Sequence, residues 1–432
     1  MTLERLRELF AKEEPDIEIL SSDEAPGSGR GDNYTSMLYR LEVQGRNRRT
    51  SQPWSKSIIY KVLPESKERR ELYKSELLFR NEVVFYTKVW PELAQLQADG
   101  RPVFNGVAKV YLAQHDLIAM EDLRPKGYKM ADRVKGLQLD DLRHVLKALA
   151  GFHALSLSLK DLRTETYAPL DRPETYARLS RMDNSGSESG SESNEAVQEA
   201  LFRMENKEWY RTYYRIATSN ALKMLADGLA AARKDEVIAK FRAFVDEKRF
   251  FREMCELVST QGPLSVFCHG DCWTNNFLFI DKDVPDAEVV CLVDFQLTRV
   301  GSLALDLAYV LYCSTSGDVR KAHMTSLLQH YHRHLMSALN ALNPSCTRDP
   351  DHMWKLLNDE MRRCSRFGLG QALDMLPIST CTSDEAPDLY EDQNTDDEEK
   401  AEGGYRAPPP GNAQCTRLMT DLVLELVDSG VI

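Results

Sequence analysis

The stretch from residue 264 to residue 309 constrains this chain more than any other part of its sequence. It contains two apolar runs with the pattern of strands, Leu264–Cys268 and Val289–Val293. The first run opens into the polar segment His269–Asp271, and the second opens into Asp294–Gln296. A strand that ends in a polar loop is a common place for functional side chains, because the strand holds the backbone rigid.

The spacing of three polar residues in this stretch fits phosphoryl transfer from ATP. Asn276 follows Asp271 by five positions, and Asp294 comes after the second run. The reaction needs a carboxylate to orient and deprotonate the acceptor hydroxyl, and oxygen ligands to hold Mg²⁺ on the phosphates. An H-G-D or a D-F is common by chance, but together they have the order of a kinase catalytic loop. The sequence therefore predicts Asp271 as catalytic base and Asn276 and Asp294 as metal ligands, with His269 and Gln296 supporting them.

A glycine-rich segment near the N-terminus is a second candidate for nucleotide binding. Gly27, Gly29 and Gly31 alternate just before an apolar run, Met37–Val43, that is typical of a strand. Glycines let backbone N–H groups approach phosphate oxygens closely. A hairpin turn has the same pattern, and the segment is not a Walker A loop, since GxxxxGK(S/T) does not occur. Because of the motifs downstream, we interpret it as a phosphate-covering loop.

A lysine and a glutamate follow in the order expected of an ATP site. Lys61 lies on the apolar run Ser57–Val62, where it can point inward to the phosphates or outward to solvent. The next helix, predicted over Lys67–Val89, carries Glu82 among apolar neighbours, and such a carboxylate usually needs a partner. We predict an ion pair between Lys61 and Glu82. Glu76 is the second choice of partner, and a solvated glutamate is the alternative.

The chain divides at a polar connector that follows the predicted strand Asp116–Met120. Glu121 and Leu123 lie in this connector, where backbone groups can hydrogen-bond adenine. We expect an N-lobe over residues 1–123, with the glycine-rich loop and the ATP lysine. A C-lobe over residues 124–432 then carries the catalytic loop and the acceptor site.

Several features of the C-terminal part bear on the site. His153 lies in a core helix predicted over Leu139–Leu159, and a structural, hydrogen-bonded role fits it best. Asp306 lies on an apolar helical segment, where it can brace the catalytic loop by accepting its N–H bonds. Four aromatic residues between residues 195 and 258 either pack in the core or line an acceptor pocket: Trp209, Tyr210, Tyr213 and Tyr214.

Two segments have compositions that do not bury a core. Residues 183–195 are rich in Ser, Gly and Glu, and residues 383–404 are strongly acidic. We predict mobile inserts at both places.

Composition excludes several classes of protein. The chain has 432 residues, 42% of them hydrophobic and 28% charged, which is typical of a soluble globular protein. A net charge of −12 argues against general nucleic-acid binding. The chain has no apolar run long enough for a membrane helix and begins without a signal-peptide pattern. Its nine cysteines include no CxxC pair. We therefore expect reduced thiols and a cytoplasmic location, with packing roles for Cys268 and Cys272.

The motifs together resemble a known family. HGDCWTNNFLF and CLVDFQLTRVGSLALDLAYVLY, preceded by IIYKVLP, FRNEVVFY and MEDL, are similar to the ecdysteroid-kinase-like (CHK kinase-like) proteins of arthropods and other invertebrates. These are relatives of choline kinases and aminoglycoside phosphotransferases. DFQ in place of DFG is a hallmark of that family. The resemblance covers nearly the whole chain apart from the two inserts.

The resemblance implies an α+β, protein-kinase-like fold with a small β-rich N-lobe and a large, mostly helical C-lobe. It implies ATP and Mg²⁺ as cofactors, Lys61 as the phosphate-binding lysine, and a small-molecule alcohol as the acceptor. Ecdysteroids are the best-known acceptors of the family, and hydroxylated xenobiotics are suggested for other members. Gln296 replaces the glycine of protein kinases, so a DFG-type switch is not implied.

Two other functions remain open at this stage. One is a kinase for cations of the choline or aminoglycoside type, which would need carboxylates or an aromatic cage in its pocket. The other is a pseudokinase that acts as a binding module, against which the intact Lys61, Asp271, Asn276 and Asp294 argue.

Overall fold

The structure, a computed structural model, describes most of the chain. The described residues are 1–11, 13–27, 36–98, 100, 102–161, 172–180, 196–281, 288–345, 347–381 and 411–432. Gly29, Gly31 and both predicted inserts, residues 183–195 and 383–404, lie outside them.

The N-terminal part is built on a five-stranded antiparallel sheet with the order β1-β2-β3-β5-β4. Its strands are β1 (Ile17–Pro26), β2 (Met37–Asn47), β3 (Pro53–Val62), β4 (Val110–Ala113) and β5 (Leu117–Glu121). A helix, α1 (Leu3–Phe10), packs against one face through Leu6 and Phe10. The apolar spacing of Leu3, Leu6, Leu9 and Phe10 predicts a helix over residues 1–20, and this prediction is wrong beyond Phe10. Pro15 cannot continue a helix, and Ile17, Glu18 and Ile19 pair with β2 instead.

The connection between β3 and β4 is helical but interrupted. It contains α2 (Lys67–Leu72), α3 (Ser75–Val84), a π-helical turn (Phe85–Val89) and α4 (Trp90–Gln95). The single helix predicted over residues 67–89 is therefore broken, because Lys74 takes a left-handed conformation with φ of 54°. The break redirects the chain so that α3 buries Leu78, Phe79 and Glu82.

The C-terminal part is mostly helical and contains two small sheets. The shorter strands are β6 (Lys129–Met130), β7 (Ser265–Cys268), β8 (Phe277–Phe279), β9 (Val290–Leu292) and β10 (Arg299–Ser302). β10 pairs with β7, and β8 lies between β6 and β9. The helices are α5 (Leu139–Asp161), α6 (Arg172–Leu179), α7 (Lys207–Gly228), α8 (Ala231–Phe244), α9 (Phe250–Ser259), α10 (Leu303–Cys313), α11 (Gly317–Leu342), α12 (Pro350–Thr380) and α13 (Ala413–Asp428). None of the helices in the described ranges is long and apolar enough to cross a membrane.

The apolar core has two parts. A small cluster lies between α1 and the sheet and includes Phe10, Leu41 and Ile58. A much larger cluster contains the opposite face of the sheet, α3 and the helices of the C-terminal part. The eight described cysteines are all buried. A β-rich N-terminal part and a large helical C-terminal part confirm the predicted α+β, protein-kinase-like fold. The boundary between residues 123 and 124 stays a prediction.

Candidate active site

Lys61 lies at the centre of a buried group of charges. Its Nζ is 2.6 Å from Glu82 Oε2 on α3 and 2.6 Å from Asp294 Oδ1. Lys61 is 4% exposed and Glu82 is 0% exposed, so both charges depend on each other for compensation. Burial alone would lower the pKa of Lys61, but Asp294 and Glu82 outweigh it and hold that pKa above its usual range. The lysine therefore stays positively charged, and the predicted ion pair with Glu82 is present.

The alternation of β3 explains why Lys61 faces this group. Ile58 and Tyr60 point to the small cluster beneath α1, whereas Ile59 packs against the large core. Since successive side chains of a strand point to opposite faces, Lys61 points to the side of Ile59 and α3. β3 is also the central strand, bonded to β2 at Leu38 and to β5 at Ile118. Its backbone is therefore held on both sides.

Asp271 is fixed by hydrogen bonds to both carboxylate oxygens. The Tyr309 hydroxyl donates to Oδ1 over 2.9 Å, and Asn276 Nδ2 donates to Oδ2 over 2.9 Å. The same Nδ2 also donates to the Asp271 carbonyl over 2.9 Å, which closes the loop on itself. Burial and the nearby charge of Asp294 raise the pKa of Asp271 to about 7, although both hydrogen bonds oppose this increase. A carboxyl that ionises near neutral pH suits a general base.

A buried network braces the backbone before Asp271. Asp306 accepts the N–H of His269 over 2.7 Å and the N–H of Gly270 over 2.9 Å. Its Oδ2 is also 3.1 Å from His153 Nε2, and His153 Nδ1 is 2.8 Å from the Tyr331 hydroxyl. Both contacts are satisfied when Nε2 donates to Asp306 and Nδ1 accepts from the Tyr331 hydroxyl. Burial would raise the pKa of Asp306, but His153 outweighs it and lowers that pKa, so Asp306 stays ionised. These are the loop contacts and the structural histidine that the sequence predicted.

Gly270 is required by the shape of this loop. Its φ is +85°, and a Cβ built on it would lie 1.9 Å from the carbonyl oxygen of Leu297. A side chain would therefore be strained and would also collide with backbone. The glycine of H-G-D is thus the residue that lets the loop pass close to the segment after Asp294.

The orientation of Asp294 depends on a strained backbone conformation and on a pair of stacked aromatic rings. Its φ is 67°, in the left-handed region that non-glycine residues adopt rarely. The next residue, Phe295, stacks on Phe85 with ring centroids 3.7 Å apart and an angle of 9° between the rings. His269 Nε2 lies 2.9 Å from the Val293 carbonyl oxygen, and Gln296 is buried in the turn that follows. These contacts direct the Asp294 carboxylate towards Lys61.

Asn276 and Asp294 offer a donor set that suits Mg²⁺. A backbone hydrogen bond of 3.1 Å from the Val293 N–H to the Asn276 carbonyl ties the two loops together. Since Nδ2 makes both hydrogen bonds of Asn276 to Asp271, the amide oxygen is not used in them. Asp294 is partly exposed, with 21% of its side chain accessible. One carboxylate and one amide oxygen are hard ligands, and Mg²⁺ uses few protein ligands beside phosphates and water.

The remaining predicted residues lie away from these contacts. The N–H of Gly27 donates to the Leu38 carbonyl over 2.8 Å, as part of the sheet. Glu121 accepts the Lys109 N–H over 2.9 Å and pairs with Lys126, and Leu123 is buried in the large core. Contact of these residues, and of Gly29 and Gly31, with a nucleotide stays a prediction.

Tyr309 is the residue that sequence reasoning missed. It lies three positions after Asp306, and residues at this spacing share one face of a helix. Asp306 was predicted to face the catalytic loop, so the same face of α10 had to bring Tyr309 close to it. This spacing was the available signal.

The fold and this constellation of side chains define a protein of the protein-kinase-like class. Residues 30–344 match the ecdysteroid kinase-like family. The chain therefore belongs to that family, as its motifs predicted. No curated protein matches the chain in sequence.

Two solved structures are similar at low identity. A microcompartment-associated aminopropanol kinase is 12% identical, with 98% of each chain covered and a TM-score of 0.37. The ADP-bound aminoglycoside phosphotransferase APH(2'')-Ib is 11% identical, covering 85% of this chain and 99% of its own, with a TM-score of 0.32.

Proposed function

We propose that this protein transfers the γ-phosphoryl group of ATP to an alcohol hydroxyl of a small molecule. The observation that carries the proposal is the Asp271 carboxylate, buried and held by Tyr309 and Asn276, beside the Lys61–Asp294 pair. We propose a hydroxylated steroid of the ecdysteroid type, or a similar xenobiotic, as the acceptor, because the chain belongs to the ecdysteroid kinase-like family.

In this mechanism Asp271 orients the acceptor hydroxyl and takes its proton. The hydroxyl oxygen forms a bond to the γ-phosphorus while the bond from that phosphorus to the β-phosphate bridging oxygen breaks, and ADP leaves. Asp271 is suited to this because its carboxyl is both fixed and ionisable near neutral pH. Lys61 is suited to the phosphates because it is a buried cation held on a central strand.

Asn276 and Asp294 would hold Mg²⁺, which neutralises charge on the phosphates when bound. Glu82 keeps Lys61 in place when the Asp294 carboxylate is engaged elsewhere. Preorganised charge of this kind is the main contribution that a protein makes to phosphoryl transfer.

The test is Mg²⁺-dependent ADP release against a panel of ecdysteroids, choline, aminoglycosides and hydroxylated plant toxins. We expect Asp271→Asn to lower acceptor-dependent turnover by about 100-fold or more, the usual contribution of a general base. Nucleotide binding should be retained. Asp359→Asn is the matched control, since Asp359 is exposed and forms an ion pair with Lys355 on its own helix.

Each outcome of this test has a defined meaning. If Asp271→Asn keeps most of its turnover, Asp271 is not the base. If no acceptor stimulates ADP release and ATP still binds, the phosphotransferase proposal fails for this panel, and the pseudokinase alternative is favoured. If only choline or aminoglycosides stimulate release, the acceptor is a cation rather than a steroid.

A further inference from the structure

A buried ion pair joins the segment of residues 196–206 to β10. Glu199 Oε2 lies 2.9 Å from Arg299 Nε, with 10% of the Glu199 side chain and 1% of the Arg299 side chain exposed. The guanidinium also lies over two aromatic rings, 5.8 Å from the centroid of Phe202 and 5.6 Å from that of Phe367. Arg299 is therefore enclosed by one carboxylate and two ring faces, which are surroundings that favour a cation.

Stability alone does not explain this arginine. Its Nη1 and Nη2 atoms are buried and have no hydrogen-bond partner among the residues that the structure describes. Removing two charges from water is costly, and a buried ion pair often stabilises a protein no more than an apolar pair of similar volume. In some proteins such a pair instead fixes one relative arrangement of the elements that it joins. What Glu199 and Arg299 join therefore decides their role.

Arg299 lies beside both catalytic loops. It is opposite Cys268 in the antiparallel pair of β10 and β7, and Cys268 directly precedes the segment His269–Asp271. Along the chain, Arg299 follows Asp294 by five residues. A contact that holds Arg299 therefore holds the strand pair next to which the proposed base and a proposed metal ligand both lie.

The same segment is also bound to α3. Gln198 exchanges two hydrogen bonds of 2.6 and 3.1 Å with the buried side chain of Asn81. Arg80 Nη2 donates to the Ala196 carbonyl over 3.2 Å. Glu82, the partner of the ATP lysine, is the next residue of this helix. The segment therefore contacts α3 directly beside the residue that holds that lysine.

Between these contacts the segment is folded on itself. Glu199 Oε1 accepts the N–H groups of Leu201 and Phe202, each over 2.9 Å. Asn206 Nδ2 donates to the carbonyls of Ala200 and Leu201 over 2.9 and 3.0 Å. The carboxylate that pairs with Arg299 thus also fixes the turn after it. A segment closed in this way can transmit the position of one end to the other.

We propose that Glu199 and Arg299 are positioning residues that set α3 in register with β7 and β10. Through this tie, the Lys61–Glu82 pair keeps a fixed distance from Asp271, although the two lie in different parts of the chain. In this role Glu199 and Arg299 act through other residues and touch no reactant. The inference rests on the proposed function, because it concerns the same site.

The test removes both charges at once in the double variant Glu199→Gln/Arg299→Met. Glutamine keeps an oxygen for the N–H groups of Leu201 and Phe202, and methionine keeps apolar contact with the two rings. Because neither charge is left unpaired, the melting temperature should stay close to that of the wild type. Amide hydrogen exchange in α3 should nevertheless become about threefold to tenfold faster, and the affinity for ATP in titration calorimetry should fall by a similar factor.

A second buried ion pair provides the matched control. Arg320 on α11 has 1% of its side chain exposed, and its Nε lies 2.7 Å from Glu425 Oε2 on α13. Its guanidinium also lies over an aromatic ring, that of Tyr312. Glu425→Gln/Arg320→Met removes the same two charges from a pair that joins α11 to α13, so exchange in α3 and the affinity for ATP should not change. Glu199→Gln alone replaces the first double variant if that variant does not fold.

The outcomes separate this inference from the proposed function. Exchange in α3 or affinity for ATP that matches the wild type in Glu199→Gln/Arg299→Met overturns the positioning role. An equal effect of the control variant on α3 also overturns it, because the cause is then a general loss of stability. Faster exchange in α3 confined to the Glu199 variants supports the inference even if the wild type releases no ADP with any acceptor of the panel, in which case the kinase proposal alone fails.

Discussion

At the scale of single residues, the environment of Asp271 sets the pH at which the site can work. Burial and Asp294 favour its neutral form, while the hydrogen bonds from Tyr309 and Asn276 favour its ionised form. The result is a pKa of about 7, well above the usual value for an aspartate. As a base Asp271 must be ionised, so turnover should rise as pH increases through about 7.

Tyr309→Phe should shift the rise in turnover with pH to higher pH. Removing the hydroxyl removes a hydrogen bond that stabilises the ionised carboxylate, so the pKa of Asp271 rises by about half a unit to one unit. The measurement is the pH profile of acceptor-dependent ADP release. Tyr312→Phe is the control, because the Tyr312 hydroxyl bonds Ser365 instead. If the rise in turnover of Tyr309→Phe stays at the same pH or moves to lower pH, Asp271 is not the base whose ionised form Tyr309 stabilises.

The contacts that could be predicted from the sequence are those between residues with a simple pairing rule or a short separation in the chain. Asp271 and Asn276 belong to one short loop, so their spacing fixes their contact. Lys61 and Glu82 were predictable because a strand lysine and a buried helix glutamate need each other. The spacing of Asp306 and Tyr309 indicated that both face the loop, but the hydrogen bond from Tyr309 to Asp271 itself depends on how α10 packs against the loop.

At the scale of elements, α3 is held by the segment of residues 196–206. Asn81 is fully buried and makes two hydrogen bonds with Gln198: its Nδ2 donates to the Gln198 carbonyl over 2.6 Å, and its Oδ1 accepts the Gln198 N–H over 3.1 Å. The same segment pairs Glu199 with the buried Arg299 on β10 over 2.9 Å. Because Glu82 follows Asn81 directly, this segment fixes the helix that positions Lys61.

Asn81→Ala should therefore weaken nucleotide binding as well as stability. Loss of two buried hydrogen bonds should lower the free energy of unfolding by about 2 kcal/mol. A less fixed α3 should also raise the KM for ATP several-fold. Asn358→Ala is the control, since Asn358 is exposed and its Nδ2 donates to the Trp354 carbonyl on its own helix. Equal melting temperatures of the two variants, with unchanged KM for ATP, would refute this role of residues 196–206.

The element boundaries show where sequence patterns fail. The sequence pattern of residues 413–428 predicts a helix with the bounds that the structure gives, Ala413–Asp428. The helix predicted over residues 67–89 failed at Lys74, a residue type that gives no signal of a left-handed turn. Pairing with a distant strand likewise overrode the apparent helix at residues 17–20.

At the scale of the whole molecule, the two clusters of the core predict unequal local stability. The small cluster beneath α1 shares no residue with the large core, which contains residues of α3, β7 and β9. Regions with fewer buried apolar contacts open more readily than the main core. The outer part of the sheet should therefore open before the helices around the catalytic loop. The sequence indicated a β-rich part and a helical part. It did not indicate the different sizes of the two apolar clusters, because these depend on which elements cover each face of the sheet.

Phe10→Ala should make this difference measurable by hydrogen exchange. Phe10 packs edge-on against Trp54 and Tyr111, with ring centroids 5.7 and 5.5 Å away. Its truncation should cost about 3–5 kcal/mol locally and speed amide exchange in β1 and β2. Exchange in α10 and α12 should not change. Phe241→Ala, in the large core, should instead lower protection across the C-terminal helices, and identical exchange patterns would contradict two separate cores.

The position of Lys61 between two carboxylates has a thermodynamic consequence. In the chain alone, Asp294 is engaged by Lys61, whereas the proposed metal site needs the same carboxylate. A metal ion that takes Asp294 frees Lys61 for an anion, and an anion that takes Lys61 frees Asp294 for a metal ion. Linkage then requires that each ligand increases the affinity for the other by the same factor. Nucleotide and Mg²⁺ should consequently bind with positive cooperativity.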